Sequence, residues 1–272
     1  MKAVIFAGGM GTRLSEETDA RPKPMVKIGD YPIIWHIMKL YDHFGIDDFI
    51  ICCGYKGEMV KSYFATYCQR YSDVTFDFRN NENEIVIHKD SAERWRVTLI
   101  NTGANTQTGG RLAQIKDYVG KDDFCLTYGD GVADIDIHAL IKFHKEHDRI
   151  ATVTAVQPLG RFGALDIEES AVKRFIEKPS GDGNWINGGF FVLKPSVFDY
   201  IPSPSDNVKW EEEPMRALTE AGQLQAFKHK GFWQPMDTLR EKNYLEALIQ
   251  KREAPWMLWN EEQKQGALKV VS

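Results

Sequence analysis

Apolar residues along this chain fall into two alternating patterns. Short unbroken apolar runs, the mark of strands covered on both faces, occur at Lys2 to Ala7, Phe49 to Cys53, Phe124 to Tyr128 and Ala151 to Val156. Between them lie stretches at helical spacing. Ile33, Ile34, Ile37, Met38, Tyr41 and Phe44 share one side, with Pro32 suited to the first turn. Glu58 to Tyr67, Arg111 to Val119, Ile137 to His147, Glu211 to Ala221 and Leu239 to Lys251 predict further helices. Shorter β-like runs stand at Val74 to Phe78, Ile85 to His88, Val97 to Asn101, Ala164 to Ile167, Val172 to Ile176 and Gly189 to Leu193. The alternation predicts an α/β fold: a Rossmann-like, mainly parallel sheet flanked by helices, with a small antiparallel β portion in the second half. No repeat, low-complexity tract or linker interrupts the chain, so residues 1–272 read as one domain, and Pro202 to Ser205 as a surface loop. Ligands of such sheets sit at the carboxyl ends of strands. Gly8 to Arg13 and Gly129 to Asp134 therefore share a crevice if their strands are neighbours.

Composition narrows the classes. With 272 residues, 43% apolar and 27% charged, the chain can bury a sizeable core. A net charge of −5 offers no broad basic face for nucleic acid. No apolar run is long enough to span a membrane, and the N-terminal run is too short for a signal peptide. The four cysteines, Cys52, Cys53, Cys68 and Cys125, form no C-x-x-C pair and read as small buried hydrophobes of a cytoplasmic protein.

The first strand runs into Ala7-Gly8-Gly9-Met10-Gly11-Thr12-Arg13-Leu14. Glycines there let backbone N–H groups approach an anion. The string lacks the Lys-Ser/Thr of a P-loop and the third glycine of a dinucleotide fingerprint. The next strand ends at Cys53-Gly54-Tyr55, without the acidic residue that fingerprint needs. Arg13 can hold phosphate oxygens bidentately, and Lys23 is presented stiffly between Pro22 and Pro24. Asp130 follows a strand between two glycines, and Asp237 sits in a turn before a helix. Two carboxylates with phosphate oxygens and water suit Mg2+, although a turn role for Asp130 and an N-cap role for Asp237 stay open. Asp134 and Asp136 read as caps of the helix at Ile137. His144 and His147 read as a solvated helix face. Trp256 and Trp259 are either core or oligomer contact.

The glycine loop followed by Pro22-Lys23-Pro24-Met25 resembles the sugar-1-phosphate nucleotidyltransferases. Further strings are similar to their glucose-1-phosphate cytidylyltransferase branch: Thr108-Gly109-Gly110-Arg111, Tyr128-Gly129-Asp130-Gly131, Arg161-Phe162-Gly163, Glu177-Lys178-Pro179, Asn187-Gly188-Gly189 and Pro235-Met236-Asp237-Thr238. Thymidylyl and uridylyl relatives carry a different loop at Thr108 to Arg111. The likeness covers nearly the whole chain, leaving residues 260–272 as a tail of unknown role. It implies a nucleotide-diphospho-sugar transferase fold, CTP and glucose 1-phosphate as substrates, Mg2+ held by Asp130 and Asp237, and a homo-oligomer. It implies Arg13 and Lys23 as catalytic residues on the phosphates. Phe6, Ala7, Gly8, Gly9, Met10, Gly11, Thr12, Thr106, Arg111 and Gly129 would surround the nucleotide. Gly163, Glu177, Lys178, Asn187 and Gly188 would hold the sugar phosphate. Uridylyl or thymidylyl transfer, or a non-catalytic sugar-nucleotide sensor, are the competing expectations.

Overall fold

In a computed structural model of the chain, residues 1–9, 11–79, 84–89, 92–158, 164–176 and 184–260 are described. The apolar runs assemble into an eight-stranded sheet. Its strands are β1 (Lys2–Ala7), β2 (Asp48–Cys53), β3 (Arg96–Asn101), β4 (Phe124–Tyr128), β5 (Ala151–Val156), β6 (Ile186–Asn187), β7 (Phe191–Leu193) and β8 (Leu224–Lys228). The order is β6-β5-β7-β4-β1-β2-β3, with β8 also paired to β5. β1 is parallel to β2 and β4, and β2 to β3. β7 is antiparallel to β4 and β5, the antiparallel portion the sequence predicts.

Alternation of side chains explains the two cores. Ala3, Ile5 and Ala7 join a cluster with residues of α1 (Ile33–His43), α2 (Gly57–Ala65), α4 (Ile137–His147) and α6 (Leu239–Gln250). Val4 and Phe6 join the opposite cluster, with α3 (Thr108–Gln114) and α5 (Glu213–Glu220). Covering both faces is why β1, β2 and β4 read as unbroken apolar runs. Among the described residues no helix is long and apolar enough to cross a membrane.

β1 and β4 are neighbours, and the Gly129 N–H donates to the Phe6 carbonyl at 2.9 Å. Gly8 and Gly129 thus open on one crevice, as expected. The predicted strand from Gly189 is broken instead. β6 and β7 both pair with β5, but four residues, Gly188 to Phe191, stand opposite two, Val153 and Thr154. The resulting bulge holds Gly189 at φ 72° and Phe190 at φ 47°, and it re-aims Asn187 toward the crevice mouth.

Three sequence expectations need correction. The helix predicted over Arg111 to Val119 starts at Thr108 and is interrupted at Ile115, so Gly109 and Gly110 lie in its first turn. Asp136 caps α4 as expected, accepting from the Ala139 N–H, but Asp134 pairs with His229 at 2.9 Å. His144 and His147 are no solvated face. His144 is fully buried, and the Nδ1 of His144 and Nε2 of His147 both meet the Thr152 hydroxyl, at 2.8 and 2.7 Å, because this side of α4 packs on β5. All four cysteines are free, and Cys68 alone of them is exposed.

Trp256 is core. Its indole N–H donates to Nδ1 of buried His36, whose Nε2 donates to the Ile28 carbonyl at 2.9 Å. Both ring nitrogens are therefore committed with His36 neutral, and burial lowers its pKa to about 4. Burial also lowers that of His144 to about 4. A histidine whose pKa is depressed by folding stabilises the fold above its unfolded pKa, about 6.5, and that contribution is lost as pH falls toward 4. Urea midpoints should therefore drop between pH 6.5 and 4.5, as the unfolded chain takes up protons that buried His36 and His144 refuse. A midpoint flat across this window would contradict the assignment.

Candidate active site

The crevice is built at the carboxyl edge of the sheet. After β1 the chain passes through Gly8 and Gly9 to Gly11, whose φ of 65° starts a single 3-10 turn, Thr12–Leu14. The Gly11 carbonyl accepts from the Leu14 N–H and the Thr18 hydroxyl, which closes the loop on itself. Pro22 is extended and delivers Lys23 into a second 3-10 turn, Lys23–Met25. Asp130 follows β4, and its carbonyl accepts from the Met236 N–H at 2.7 Å. That bond carries Asp237, at the foot of α6, to the same place.

Four charged groups converge there. The Lys23 ammonium donates to Asp130 Oδ2 at 2.7 Å and to Asp237 Oδ1, while Arg13 reaches Asp237 Oδ2 at 3.0 Å. The Lys23 side chain is 10% exposed and that of Arg13 74%. Burial opposes the Lys23 charge, but Asp130 and Asp237 outweigh it and raise its pKa. Asp237 is not the helix cap. Thr238 caps α6 in a capping box with Glu241, leaving the Asp237 carboxylate to the crevice. Two carboxylates meeting on one ammonium are close enough together to share a hard divalent cation, with water and phosphate oxygens completing the shell.

Arg111 is placed differently from the expectation of a base contact. It is 4% exposed, and its guanidinium donates to the carbonyls of Cys53, Gly8, Gly103 and Ala104 and to the Thr102 hydroxyl. It lies so close beneath the loop that a Cβ on Gly8 would stand 2.1 Å from its Cζ. The groups around it are also spent. The Gly109 and Gly110 N–H groups donate to the Val208 carbonyl, and a Cβ on Gly110 would stand 2.6 Å from the Ser205 carbonyl oxygen. The Thr108 hydroxyl donates to Glu211 at 2.6 Å and accepts from the Trp210 N–H. Thr106 lies against Gly103 and Gly110, and Gln107 remains exposed.

On the other side of the crevice, Asn187 donates to the Tyr128 hydroxyl at 3.2 Å and accepts from the Gly189 N–H at 2.9 Å. This fixes its amide, leaving one N–H directed outward. Tyr128 donates to Glu211 at 2.8 Å, and burial, followed by the Glu211 charge, pushes its phenol well up. The Trp233 indole N–H donates to the Gly188 carbonyl at 2.8 Å. Tyr128, Glu211 and Trp233 escaped the sequence reading. Glu211 carried no signal because the helical pattern placed it inside α5, whereas it stands in the turn before it. Met10, Gly163, Glu177 and Lys178 lie outside the described residues, as does the side chain of Thr12.

The chain matches the family described as "Nucleotidyl transferase" over residues 2–252. It belongs to the nucleotidyl transferase family. This nucleotidyltransferase is 59% identical over 260 residues to the glucose-1-phosphate cytidylyltransferase of Salmonella typhi, covering 95% of this chain and 100% of that one. The Salmonella typhimurium protein of the same name matches equally, at 59% over 95% and 100%. The fold is similar to the crystal structure of HddC from Yersinia pseudotuberculosis, with a TM-score of 0.65 at 23% identity over 91% of this chain and 99% of that one.

The role of Arg111 in the nucleotidyltransferase can be checked by stability. Arg111→Met removes the charged donors that tie Gly8, Cys53, Thr102, Gly103 and Ala104 together and should cost ~3 kcal/mol or more, with and without nucleotide. Gln107→Ala should leave stability unchanged. A fully stable Arg111→Met with only a raised KM for the nucleotide would mark the guanidinium as a direct base ligand.

Proposed function

We propose that this chain transfers the cytidylyl group of CTP to α-D-glucose 1-phosphate, giving CDP-glucose and pyrophosphate. The observation that carries the chemistry is the convergence of Arg13, Lys23, Asp130 and Asp237 at the mouth of the glycine loop. The choice of substrates follows the two relatives at 59% identity.

A sugar phosphate is largely dianionic at neutral pH, its second pKa being about 6. Its oxygen needs no strong base to attack the α-phosphorus. A new P–O bond forms in line as the bond to the β-phosphate oxygen breaks, and pyrophosphate leaves with that electron pair. The difficulty is bringing two polyanions together, so catalysis rests on positioning and charge neutralisation. Exposed Arg13 reaches outward to the β- and γ-phosphates and the departing pyrophosphate. Lys23 neutralises the α-phosphate. Asp130 and Asp237 hold Mg2+, which when bound neutralises phosphate charge and orients the phosphates. The backbone from Phe6 to Gly11, with Thr106 and Gly129, surrounds the nucleotide, and Arg111 shapes that surrounding by pinning the loop. Asn187 directs its remaining N–H at a hexose hydroxyl oxygen, beside Gly188. Gly163, Glu177 and Lys178 complete the sugar-phosphate side.

We also propose a homo-oligomer. The antiparallel ribbon of Asp73–Asp77 and Glu84–Lys89 stands off the main sheet and exposes Phe76, Phe78, Ile85, Val86 and Ile87. An isolated two-stranded ribbon is marginal in water, and an apolar surface of this kind is a contact surface. Light scattering should show a multimer, and the double variant Phe78→Ser, Ile85→Thr should shift it toward monomer. A monomeric wild-type chain would overturn this reading.

Base choice is decided by pyrophosphate release with CTP, UTP and dTTP against glucose 1-phosphate. We expect kcat/KM for CTP to exceed the others by roughly 10²-fold or more, because unpaired base-edge groups are costly. Equal use of UTP or dTTP would overturn cytidylyl transfer and leave nucleotidyl transfer standing.

A further inference from the structure

The Lys23 ammonium sits where the two candidate cation ligands converge. It bonds Asp130 Oδ2 and Asp237 Oδ1 together, with its side chain 10% exposed. We propose that Lys23 holds the cation's place in the substrate-free enzyme, and that cation binding and the release of Lys23 toward the nucleotide are one exchange. This rests on the nucleotidyltransferase reading and adds an order of events to it.

The charge count supports the exchange. Lys23 and Arg13 balance Asp130 and Asp237, so the empty cluster is neutral. Both carboxylates already have a cationic partner, and a divalent ion must displace one. Lys23 is the one in its way, because it touches both carboxylates, whereas Arg13 touches Asp237 alone. Once displaced, a buried ammonium needs another anion. The stiff Pro22-Lys23-Pro24 segment keeps its backbone fixed, so the side chain alone swings. The anion within its reach is the incoming phosphate. A cation and a phosphate therefore each remove what opposes the other, and the linkage must be reciprocal. The cluster thereby avoids two faults. Without cation it leaves no bare pair of carboxylates to repel the nucleotide, and without nucleotide it binds cation weakly.

The test is Mn2+ binding to the full chain without nucleotide, followed by electron paramagnetic resonance. Lys23→Met should bind Mn2+ roughly tenfold more tightly than wild type, or better. Arg13→Met should tighten binding less, which separates displacement from a general change of charge. Asp130→Asn should abolish binding in either background. As a second readout on the wild-type chain, reductive methylation of Lys23, quantified by mass spectrometry, should rise on adding Mg2+. This readout decides the matter if Lys23→Met fails to fold. Equal Mn2+ affinity in wild type and Lys23→Met, or Lys23 labelling indifferent to Mg2+, would overturn the exchange. Neither result depends on turnover, so the nucleotidyltransferase reading fails separately, in the triphosphate panel.

Discussion

The carboxyl edge of the sheet is organised around a buried cation whose partners among the described residues are carbonyls and a hydroxyl. The guanidinium of Arg111 lies under the glycine loop and binds carbonyls at the ends of β1, β2 and β3 at once: Gly8, Cys53, and Gly103 with Ala104. The last carbonyls of parallel strands all point to the same edge and each can accept a second bond; Cys53 already takes the Thr102 N–H and Gly8 the Tyr55 N–H. One planar fork of donors satisfies several of them. Burial draws the Arg111 pKa down, but the ordinary guanidinium value is so high that the charge persists. A lysine could not replace it, because a single ammonium cannot reach carbonyls on three strand ends. The glycines follow from the arginine. Positions 8 and 54 have no room for a Cβ because the guanidinium occupies that space.

With the three strand ends held in fixed spacing, the rest of the crevice is assembled by chain connections that are distant in sequence. The Asp130 carbonyl takes the Met236 N–H and so brings Asp237 to Asp130. The capping box of Thr238 and Glu241 anchors α6 without using the Asp237 carboxylate. Lys23 then draws both acids onto one ammonium. Each link is modest. Their joint effect is that Asp130 and Asp237 are brought together beside Lys23 by backbone bonds of the elements that carry them.

Much of the sheet and the convergence of four charged side chains was legible in the sequence. Strands buried on both faces announce themselves as apolar runs, and β1, β2, β4 and β5 were found within a residue of their ends. Arg13, Lys23, Asp130 and Asp237 were picked out by residue type beside glycines and prolines and by the family resemblance, and the fold brings the four together. Failures came where tertiary packing sets the meaning of a residue. His144 and His147 look solvated among Lys142, Lys145 and Glu146, and only the docking of α4 on β5 buries them around Thr152. The bulge at Gly188 to Phe190 is invisible because a two-residue slip leaves the apolar composition unchanged. Arg111 and Glu211 each gain their role from partners far away in the chain, Gly8 and Tyr128 among them.

The base-side loop shows how that packing redistributes function. Read as a string, Thr106 to Arg111 offers two hydroxyls, an amide, bare glycine N–H groups and a guanidinium to a base edge. In the fold most of these are spent. Gly109 and Gly110 give their N–H groups to Val208, Arg111 gives its donors to the strand ends, and Thr108 is shared between Glu211 and Trp210. Under the proposed function, what remains for the base is Thr106, exposed Gln107 and the backbone of the glycine loop. The backbone that carries them is tied to Asp206 and Val208 and by Thr108 to Glu211 and Trp210, which limits rearrangement to suit a different donor and acceptor pattern. A 4-amino group and a 4-oxo group present opposite polarity at the same place, and a rigid frame that satisfies one leaves a buried group unpaired against the other. Under the proposed function, selectivity in this crevice would come less from the number of groups facing the base than from the bonds behind them. The Glu211 carboxylate, bonded to both Thr108 and Tyr128, ties the loop at Thr106 to Arg111 to the wall that carries Asn187.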